Sequence, residues 1–230
     1  MTITYPAACG SLDFEGVYPP QFDSQMLMES LEQTGLARGQ RVLDLCTGSG
    51  VVAIAAAELG AASVTAFDIC PHAVRCSRGN AVHAGVDIDV REGSWTGALD
   101  CAPFDVIVSN PPYVPTPLAG DSKVIATTAG PAWAWDAGLD GRLVLDPLCN
   151  SVSGLLVAGG SLLLVQSAFS GIEKSLDSLR SSGLYVEVIA SQRVPFGPVL
   201  SARADWLEVT GRIERDCRTE ELVVIRADKP

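Results

Sequence analysis

The stretch of this chain best suited to chemistry is an asparagine followed by two prolines and a tyrosine. Ser109-Asn110-Pro111-Pro112-Tyr113-Val114-Pro115 comes directly after Phe104–Val108, an apolar run that predicts a buried strand. Two prolines end such a strand because neither can donate a ladder hydrogen bond. Pro111 also restricts Asn110 to extended backbone angles, so we expect the asparagine at the strand tip with its carboxamide free.

These residues offer two hydrogen-bond acceptors and an aromatic face. The side-chain carbonyl of Asn110 and the backbone carbonyl of Pro111 can each accept from an N–H, and Tyr113 supplies a flat surface beside them. Such a set suits a planar amide or amine whose N–H groups must be held in place. A proline-rich turn without a chemical role is the alternative interpretation.

A second stretch predicts a nucleotide-binding fold. Arg41–Gly50 is an apolar strand that ends in an acidic residue and a glycine turn, and the Ala-rich helix Val51–Leu59 follows it. Val64–Phe67 is then a short apolar strand, and Asp68 comes directly after it. Strand, glycine turn, helix, strand and acid in this order are typical of the nucleotide-binding half of a doubly wound sheet, with Asp68 near the spacing of a ribose-binding acid.

Three motifs together resemble a known family. Asp-Leu-Cys-Thr-Gly-Ser-Gly at 44–50, Phe-Asp at 67–68 and Asn-Pro-Pro-Tyr at 110–113 look like those of the class I S-adenosylmethionine-dependent methyltransferases. More narrowly, they resemble the HemK-type glutamine N5-methyltransferases that modify peptide-chain release factors. The resemblance covers roughly residues 14–228. Asn-Pro-Pro-Tyr also occurs in adenine-N6 DNA and RNA methyltransferases, so it indicates the chemistry better than the substrate.

The resemblance implies a Rossmann-like α/β fold with a seven-stranded, mostly parallel sheet and helices on both faces. It implies one domain over 1–230, with an N-terminal extension and helix over 1–40 and the core over 41–228. About 40 residues precede the first strand, which is too few for the separate helical domain of the bacterial enzymes. The chain is thus similar to the short branch, whose members commonly pair with a small zinc-binding activator.

The same resemblance assigns functional residues. Asp44 is expected to bind the amino group of the methionine part, Asp68 the ribose hydroxyls, and Ile69 and Trp95 the adenine. The full expected cofactor-binding set is Ser24, Asp44, Cys46, Thr47, Gly48, Gly50, Asp68, Ile69, Ser94, Trp95 and Asn110, and the catalytic set is Asn110, Pro111, Pro112 and Tyr113. Cys46 stands where the family usually has glycine, and Ser94 where it usually has an acid.

Composition narrows the function further. The 230 residues are 47% hydrophobic, which suits one substantial core, and the net charge of -11 opposes general binding of a phosphate backbone. The seven scattered cysteines form no Cys-x-x-Cys pair, so free thiols are expected. The only histidines, His72 and His83, are expected at the surface, and no metal site is expected.

The chain ends and the connecting segments add further expectations. The N-terminus lacks the features of a signal peptide and no apolar run is long enough for a membrane span, which favours a cytoplasmic protein. Periodicity predicts helices over Gln21–Thr34, Pro71–Ala84, Gly141–Val157 and Ile172–Leu179. Asp23 or Ser24 is expected to cap the first of these, and Gly159-Gly160 is expected to end the third. Strands are predicted over Asp87–Arg91, Ser161–Val165, Leu184–Ala190 and Glu221–Ile225.

Two long segments, 114–140 and 194–218, are candidates for the substrate wall. In the first, Trp133 and Trp135 either line that wall or pack the loop down. In the second, residues 195–198 and 203–206 border the substrate if the sixth strand is parallel to the others. A solvated excursion is the alternative.

Three other functions compete with a protein methyltransferase. An adenine-N6 methyltransferase uses the same four residues but needs a basic face. A nicotinamide-dependent oxidoreductase matches the glycine turn at 48–53 but leaves Asn-Pro-Pro-Tyr unexplained. A non-catalytic interaction protein is suggested by the Cys46 and Ser94 departures. Within the methyltransferase interpretation, lysine is an alternative acceptor to glutamine.

Overall fold

A computed structural model gives the fold of residues 12–101, 103–117, 125 and 130–230. Cys9 and residues 118–124 and 126–129 of the predicted wall segment lie outside the described residues. The six cysteines within them are free thiols. None of the helices in these ranges is long and apolar enough to cross a membrane.

The fold is built on one sheet of seven strands in the order β3-β2-β1-β4-β5-β7-β6. All neighbouring pairs are parallel except those that involve β7, which is antiparallel to both β5 and β6. Strand β6 therefore runs in the same direction as β5. The strands are β1 Arg41–Leu45, β2 Ser63–Asp68, β3 Asp89–Glu92, β4 Phe104–Ser109, β5 Leu156–Ser167, β6 Tyr185–Pro195 and β7 Thr219–Asp228.

Helices cover both faces of this sheet, which confirms the predicted Rossmann-like α/β class. Helix α1 contacts α2, α2 contacts α3, and α5 contacts α6. The helices are α1 Phe22–Thr34, α2 Val51–Glu58, α3 Pro71–Ala84, α4 Trp95–Ala98, α5 Leu145–Ser151, α6 Ile172–Ser181 and α7 Pro198–Val209. Because the central strands are covered on both sides, Val42, Leu43 and Leu45 of β1 are all almost fully buried.

From β1 the sheet grows in both directions, through β2 and β3 on one side and through β4 and β5 on the other. The glycine turn after β1 and the Asn-Pro-Pro-Tyr motif after β4 therefore lie side by side. Leu45 at the end of β1 pairs in register with Ser109 at the end of β4. The residues that follow each strand, Cys46 and Asn110, therefore leave the same sheet edge next to each other. In open α/β sheets such a switch point is where ligands bind.

Several predicted boundaries are wrong. The predicted helix over 141–157 is only Leu145–Ser151, followed by a 3-10 turn, and Leu156 already pairs with Phe104 in the sheet. Gly159-Gly160 lies inside β5 rather than ending a helix. Gly160 is needed there because an added Cβ would lie 3.1 Å from the Asp105 carbonyl oxygen, where the β4–β5 register shifts.

The predicted cap of the first helix is also wrong. Gln21 occupies the N-cap position of α1 without a side-chain hydrogen bond to the helix. Asp23 and Ser24 instead lie in the first turn, almost fully buried, where they contact the motif that follows β4. Local sequence cannot reveal this, because the partners are 86 and 90 residues away.

Helix α7 lies in 194–218, the segment predicted as either a border of the substrate or a solvated excursion, and it contacts the 114–140 segment at two places. The Arg203 guanidinium donates to the Pro115 carbonyl at 2.8 Å and to the Thr116 hydroxyl at 3.1 Å. It also forms an ion pair with Asp136 and lies 4.6 Å over the Trp135 ring. This part of 194–218 therefore supports the 114–140 segment, and its place beside the substrate stays a prediction.

Replacing Arg203 by Met should lower the free energy of unfolding by about 2–4 kcal/mol, because a buried, charged donor of several hydrogen bonds is lost while most of its volume is kept. Denaturant unfolding measures this change. Arg212, which is exposed and lies 5.4 Å over the Trp206 ring, is the matched control. Arg212→Met should change stability by less than about 0.5 kcal/mol. Equal effects of both variants would contradict the anchoring role.

Candidate active site

A cavity of about 570 Å³ opens at the carboxyl edge of the sheet, over the ends of β1, β2 and β4. Its volume lies within the range of roughly 300–1,000 Å³ that small-molecule and cofactor sites have. Of the predicted cofactor-binding residues, those that line it are Ser24, Asp44, Cys46, Thr47, Gly48, Asp68, Ile69, Ser94, Trp95 and Asn110. Gly50 does not line it.

Asp44 presents a buried carboxylate to this cavity at the end of β1. The Thr47 hydroxyl donates to its Oδ2 at 2.6 Å. The pKa of Asp44 is raised to about 7: burial is the largest cause, the Thr47 hydrogen bond opposes the rise, and the nearby charge of Asp68 adds to it. A buried carboxylate of this kind gains by binding a cation, which suits an ammonium group of a ligand.

Asp68 presents the second carboxylate, at the end of β2. Its Oδ2 accepts from the Gly48 amide and its Oδ1 from the Cys70 amide, both at 2.9 Å. Burial raises the pKa of Asp68, and these backbone donors reduce the rise. Each oxygen keeps further acceptor capacity, so the group can still accept from the two hydroxyls of a ribose.

The turn after β1 explains why the family usually has glycine at the position of Cys46. Cys46 has a φ of +63°, in the left-handed region that glycine adopts without cost. Gly50 is required for another reason: a Cβ there would collide with Ser77 of α3, so this glycine lets α2 and α3 pack closely. Gly50 thus has a packing role, and its assignment to the cofactor set stays a prediction.

The part of the cavity lined by Ile69 and Trp95 is more apolar than the part lined by Asp44 and Asp68. Ile69 lines it and is 62% exposed, and Trp95 lines it at the start of α4. Ser94 caps α4, accepting from the Thr96 amide at 3.3 Å, and its hydroxyl lies 2.5 Å from the Thr96 hydroxyl. Its oxygen is thus already engaged locally, which makes Ser94 a weaker adenine partner than an acid would be.

The motif after β4 divides into an open and a buried half. Asn110 and Pro112 line the cavity, and Asn110 Nδ2 donates to Ser24 Oγ at 3.2 Å. Pro111 is buried, and no donor to its carbonyl oxygen is found within the described ranges. Tyr113 is buried and does not line the cavity: its hydroxyl donates to Asp23 Oδ2 at 2.8 Å. The expected open aromatic face at Tyr113 is therefore wrong.

The two tryptophans of the predicted wall have different roles. Trp133 lines the cavity and is 40% exposed, whereas Trp135 is buried under Arg203. Val17, Phe67 and Val144, whose roles the sequence did not predict, also line the cavity. Only Phe67 carried a usable signal, because it directly precedes Asp68 on β2. His72 and His83 are exposed on α3, as predicted.

The described residues contain no group of three His, Cys, Asp or Glu side chains arranged to hold a metal ion. The chemistry that these residues offer instead is two buried carboxylates, an apolar pocket and a carboxamide at its mouth. Such a site can hold a ligand with an ammonium group, a ribose and a flat ring, and present a second N–H-bearing molecule to it.

Comparison with known proteins places this site in a class. A family model described as "Methyltransferase small domain" matches residues 19–126. A chain in the structure of the E. cuniculi Mtq2–Trm112 complex, described as responsible for methylation of the translation termination factor eRF1, has the same fold. That chain is 22% identical, with a TM-score of 0.60, and the match covers 93% of this chain and 98% of that one. The fold is that of a class I S-adenosylmethionine-dependent methyltransferase.

Two curated relatives identify the family. A protein of Methanocaldococcus jannaschii, described as an inferred protein N5-glutamine methyltransferase, is 32% identical over 82% of this chain and 91% of its own length. A release factor glutamine methyltransferase of Deinococcus radiodurans is 38% identical over 66% of this chain. This chain spans only 54% of that enzyme's length. The chain belongs to the family of protein N5-glutamine methyltransferases.

The cofactor of this class fits the residues present. Solved structures with this fold include complexes with S-adenosylmethionine and with S-adenosylhomocysteine. Here the buried Asp44 carboxylate matches the ammonium of the methionine part, and Asp68 retains acceptors for the ribose. The apolar end near Ile69 and Trp95 suits the adenine. S-adenosylmethionine is therefore the cofactor, and these three contacts are our assignment of its parts.

The affinity for S-adenosylhomocysteine should rise about tenfold from pH 6 to pH 8. The Asp44 carboxyl must be ionised to bind the ligand ammonium, and with a pKa of about 7 its ionised fraction grows through this range. Calorimetric titration at several pH values measures the affinity. Asp44→Asn should bind more weakly and lose most of the pH dependence, whereas an unchanged slope in that variant would contradict the assignment.

Cys46→Gly should be more stable than Cys46→Ala by about 0.5–1 kcal/mol. Both variants remove the thiol, but alanine keeps a Cβ in the left-handed conformation at a cost of about 1–2 kcal/mol, part of which glycine loses again as backbone entropy. Denaturant unfolding of the two variants measures the difference. An alanine variant as stable as the glycine variant would show that this conformation is not strained.

Proposed function

We propose that this chain transfers a methyl group from S-adenosylmethionine to the side-chain amide nitrogen of the glutamine in the Gly-Gly-Gln loop of a peptide-chain release factor. The observation that carries the proposal is that the Asn110 carboxamide and the buried Asp44 carboxylate line the same cavity, at the ends of two neighbouring strands. The relatives' names support it, since they describe glutamine methylation and, in the Deinococcus enzyme, a release factor.

The chain's residues overcome the poor nucleophilicity of an amide. The amide lone pair is delocalised, so an unassisted nitrogen attacks slowly. Asn110 Oδ1 and the Pro111 carbonyl accept the two N–H groups of the acceptor and aim the nitrogen into the cavity. When bound, S-adenosylmethionine supplies a sulfonium methyl group as the electrophile.

Alignment supplies most of the catalysis in this proposal. With the cofactor bound, the acceptor nitrogen would take the methyl group as the carbon–sulfur bond breaks, and the surplus proton would then leave to water. Holding the two reactants in line supplies several kcal/mol, roughly 7 at the low end for well-oriented pairs. The proposed steps need no strong general base at the motif.

The charge of the chain favours a protein acceptor over a nucleic acid. Adenine-N6 methylation would use the same Asn-Pro-Pro-Tyr residues, but a net charge of -11 repels a phosphate backbone. Glutamine is favoured over lysine because two acceptors match the two N–H groups of an amide. An ammonium would have three donors and no lone pair until it lost a proton.

A second subunit is part of the proposal. The E. cuniculi structure is a complex of two proteins, Mtq2 and Trm112. The resemblance to the short branch adds the expectation of a small zinc-binding activator. We therefore infer that this chain works with such a partner in the cell, as a protein of the cytoplasm.

Radiolabelled methyl transfer tests the reaction and the target together. The purified chain, with and without a candidate activator, is incubated with a release factor and with the same factor carrying glutamine to asparagine in its loop. We expect label only on the first. Label on the altered factor, or on oligonucleotides instead of protein, would contradict the proposal.

Asn110→Ala should remove most turnover, by at least about 100-fold, while changing S-adenosylhomocysteine affinity only a few fold. Turnover falls and cofactor affinity does not, because in this proposal the carboxamide orients the acceptor and does not hold the cofactor. Steady-state kinetics and calorimetry measure the two effects separately. Retained turnover in this variant would remove Asn110 from the mechanism.

A further inference from the structure

We propose that Ser24 is a positioning residue, which fixes the end of the Asn110 carboxamide that faces the acceptor. The inference rests on the proposed function for its consequence in catalysis, but the orientation itself is a property of the free protein. It gives Ser24 a role different from the cofactor contact that sequence resemblance assigned to it.

Three hydrogen bonds set the direction. Asp23 is almost fully buried, and its Oδ1 accepts from the Ser24 amide at 2.6 Å and from the Ser24 hydroxyl at 3.3 Å. Because the hydroxyl hydrogen points to Asp23, the Ser24 oxygen is left as an acceptor. Asn110 Nδ2 donates to that oxygen at 3.2 Å, which turns Asn110 Oδ1 away from α1.

The direction matters because the two ends of a carboxamide have opposite hydrogen-bonding roles. With its nitrogen on Ser24, Asn110 presents an acceptor to the N–H groups of an incoming amide. If the carboxamide flipped, its NH2 would face the acceptor's NH2, and two donors would oppose each other. A free carboxamide would spend part of its time in this unproductive orientation, and turnover would fall.

The other oxygen of Asp23 holds the same assembly from the opposite side. Its Oδ2 accepts from the buried Tyr113 hydroxyl at 2.8 Å and from the Tyr18 hydroxyl at 3.5 Å. Asp23 thus contacts the motif at Tyr113 directly and at Asn110 through Ser24. One buried carboxylate therefore sets both ends of Asn-Pro-Pro-Tyr relative to the first turn of α1.

A pair of variants of equal shape isolates the hydroxyl. Ser24→Thr keeps the oxygen, and Ser24→Val replaces it by a methyl group in a side chain of the same form, so any cost of the added branch is common to both. We expect kcat of the valine variant to be about 10–100-fold below that of the threonine variant, while S-adenosylhomocysteine affinity differs by less than about threefold.

Ser30→Ala is the control for a structural effect. Ser30 is buried in the same helix and takes no part in the hydrogen bonds that join Asp23, Ser24 and Asn110. Its kcat should stay within about twofold of the native chain. Equal kcat values for the threonine and valine variants would overturn the proposal. A valine variant that loses affinity for S-adenosylhomocysteine in proportion to kcat would also overturn it and return Ser24 to the cofactor contacts.

A measurement without any substrate separates this inference from the proposed function. The side-chain NH2 signals of Asn110 are assigned by their absence in the NMR spectrum of Asn110→Ala. In the threonine variant one proton of the pair should be shifted by its hydrogen bond and protected from exchange, as in the native chain. In the valine variant that shift and protection should be lost. Identical signals in both variants would overturn the orientation, whichever protein proves to be the substrate.

Discussion

The hydrogen bonds of the buried Asp23 carboxylate join helix α1 to the Asn-Pro-Pro-Tyr motif after β4. Tyr113 and Ser24 both donate to it, and Ser24 in turn accepts from Asn110. Burying this carboxylate is costly unless several donors satisfy it, so the first turn of α1 and the end of β4 must fold into one fixed arrangement. The mouth of the cavity is built on that arrangement.

Two further buried carboxylates, Asp44 and Asp68, line the cavity. Asp44 and Asp68 leave the ends of two neighbouring strands, and burial raises the pKa of both. Backbone amides and the Thr47 hydroxyl offset part of that cost, and a cationic, hydroxyl-bearing ligand offsets more. The free protein therefore holds two carboxylates that are better stabilised when the cofactor is bound. Because folding raises the pKa of Asp44, the protonated carboxyl contributes to the free energy of unfolding. This contribution is fully present below about pH 4 and is lost as pH rises through about 7.

The sequence was sufficient where a residue's role follows from its place on one strand or turn. The order of β1, α2 and β2, and the placement of Asp44, Asp68 and Asn110 at strand ends, follow from local pattern and from the direction of parallel strands. The burial of Tyr113 did not, because its partner Asp23 is 90 residues away. Leu156 and Val157 read equally well as helix or strand, since a short apolar run has no distinctive period. The sequence did not predict helix α7, whose anchor is the charged Arg203, because the partners of Arg203 lie 67 to 88 residues away in the chain.

The most direct test of the account is a crystal structure of the chain with S-adenosylhomocysteine and a release factor carrying the Gly-Gly-Gln loop. The account predicts the glutamine nitrogen within hydrogen-bond distance, about 2.7–3.2 Å, of both Asn110 Oδ1 and the Pro111 carbonyl oxygen, pointing at the cofactor sulfur. It also predicts that Asn110 Nδ2 stays on Ser24 in that complex. A glutamine held by other residues, with its nitrogen away from both acceptors, would contradict the account.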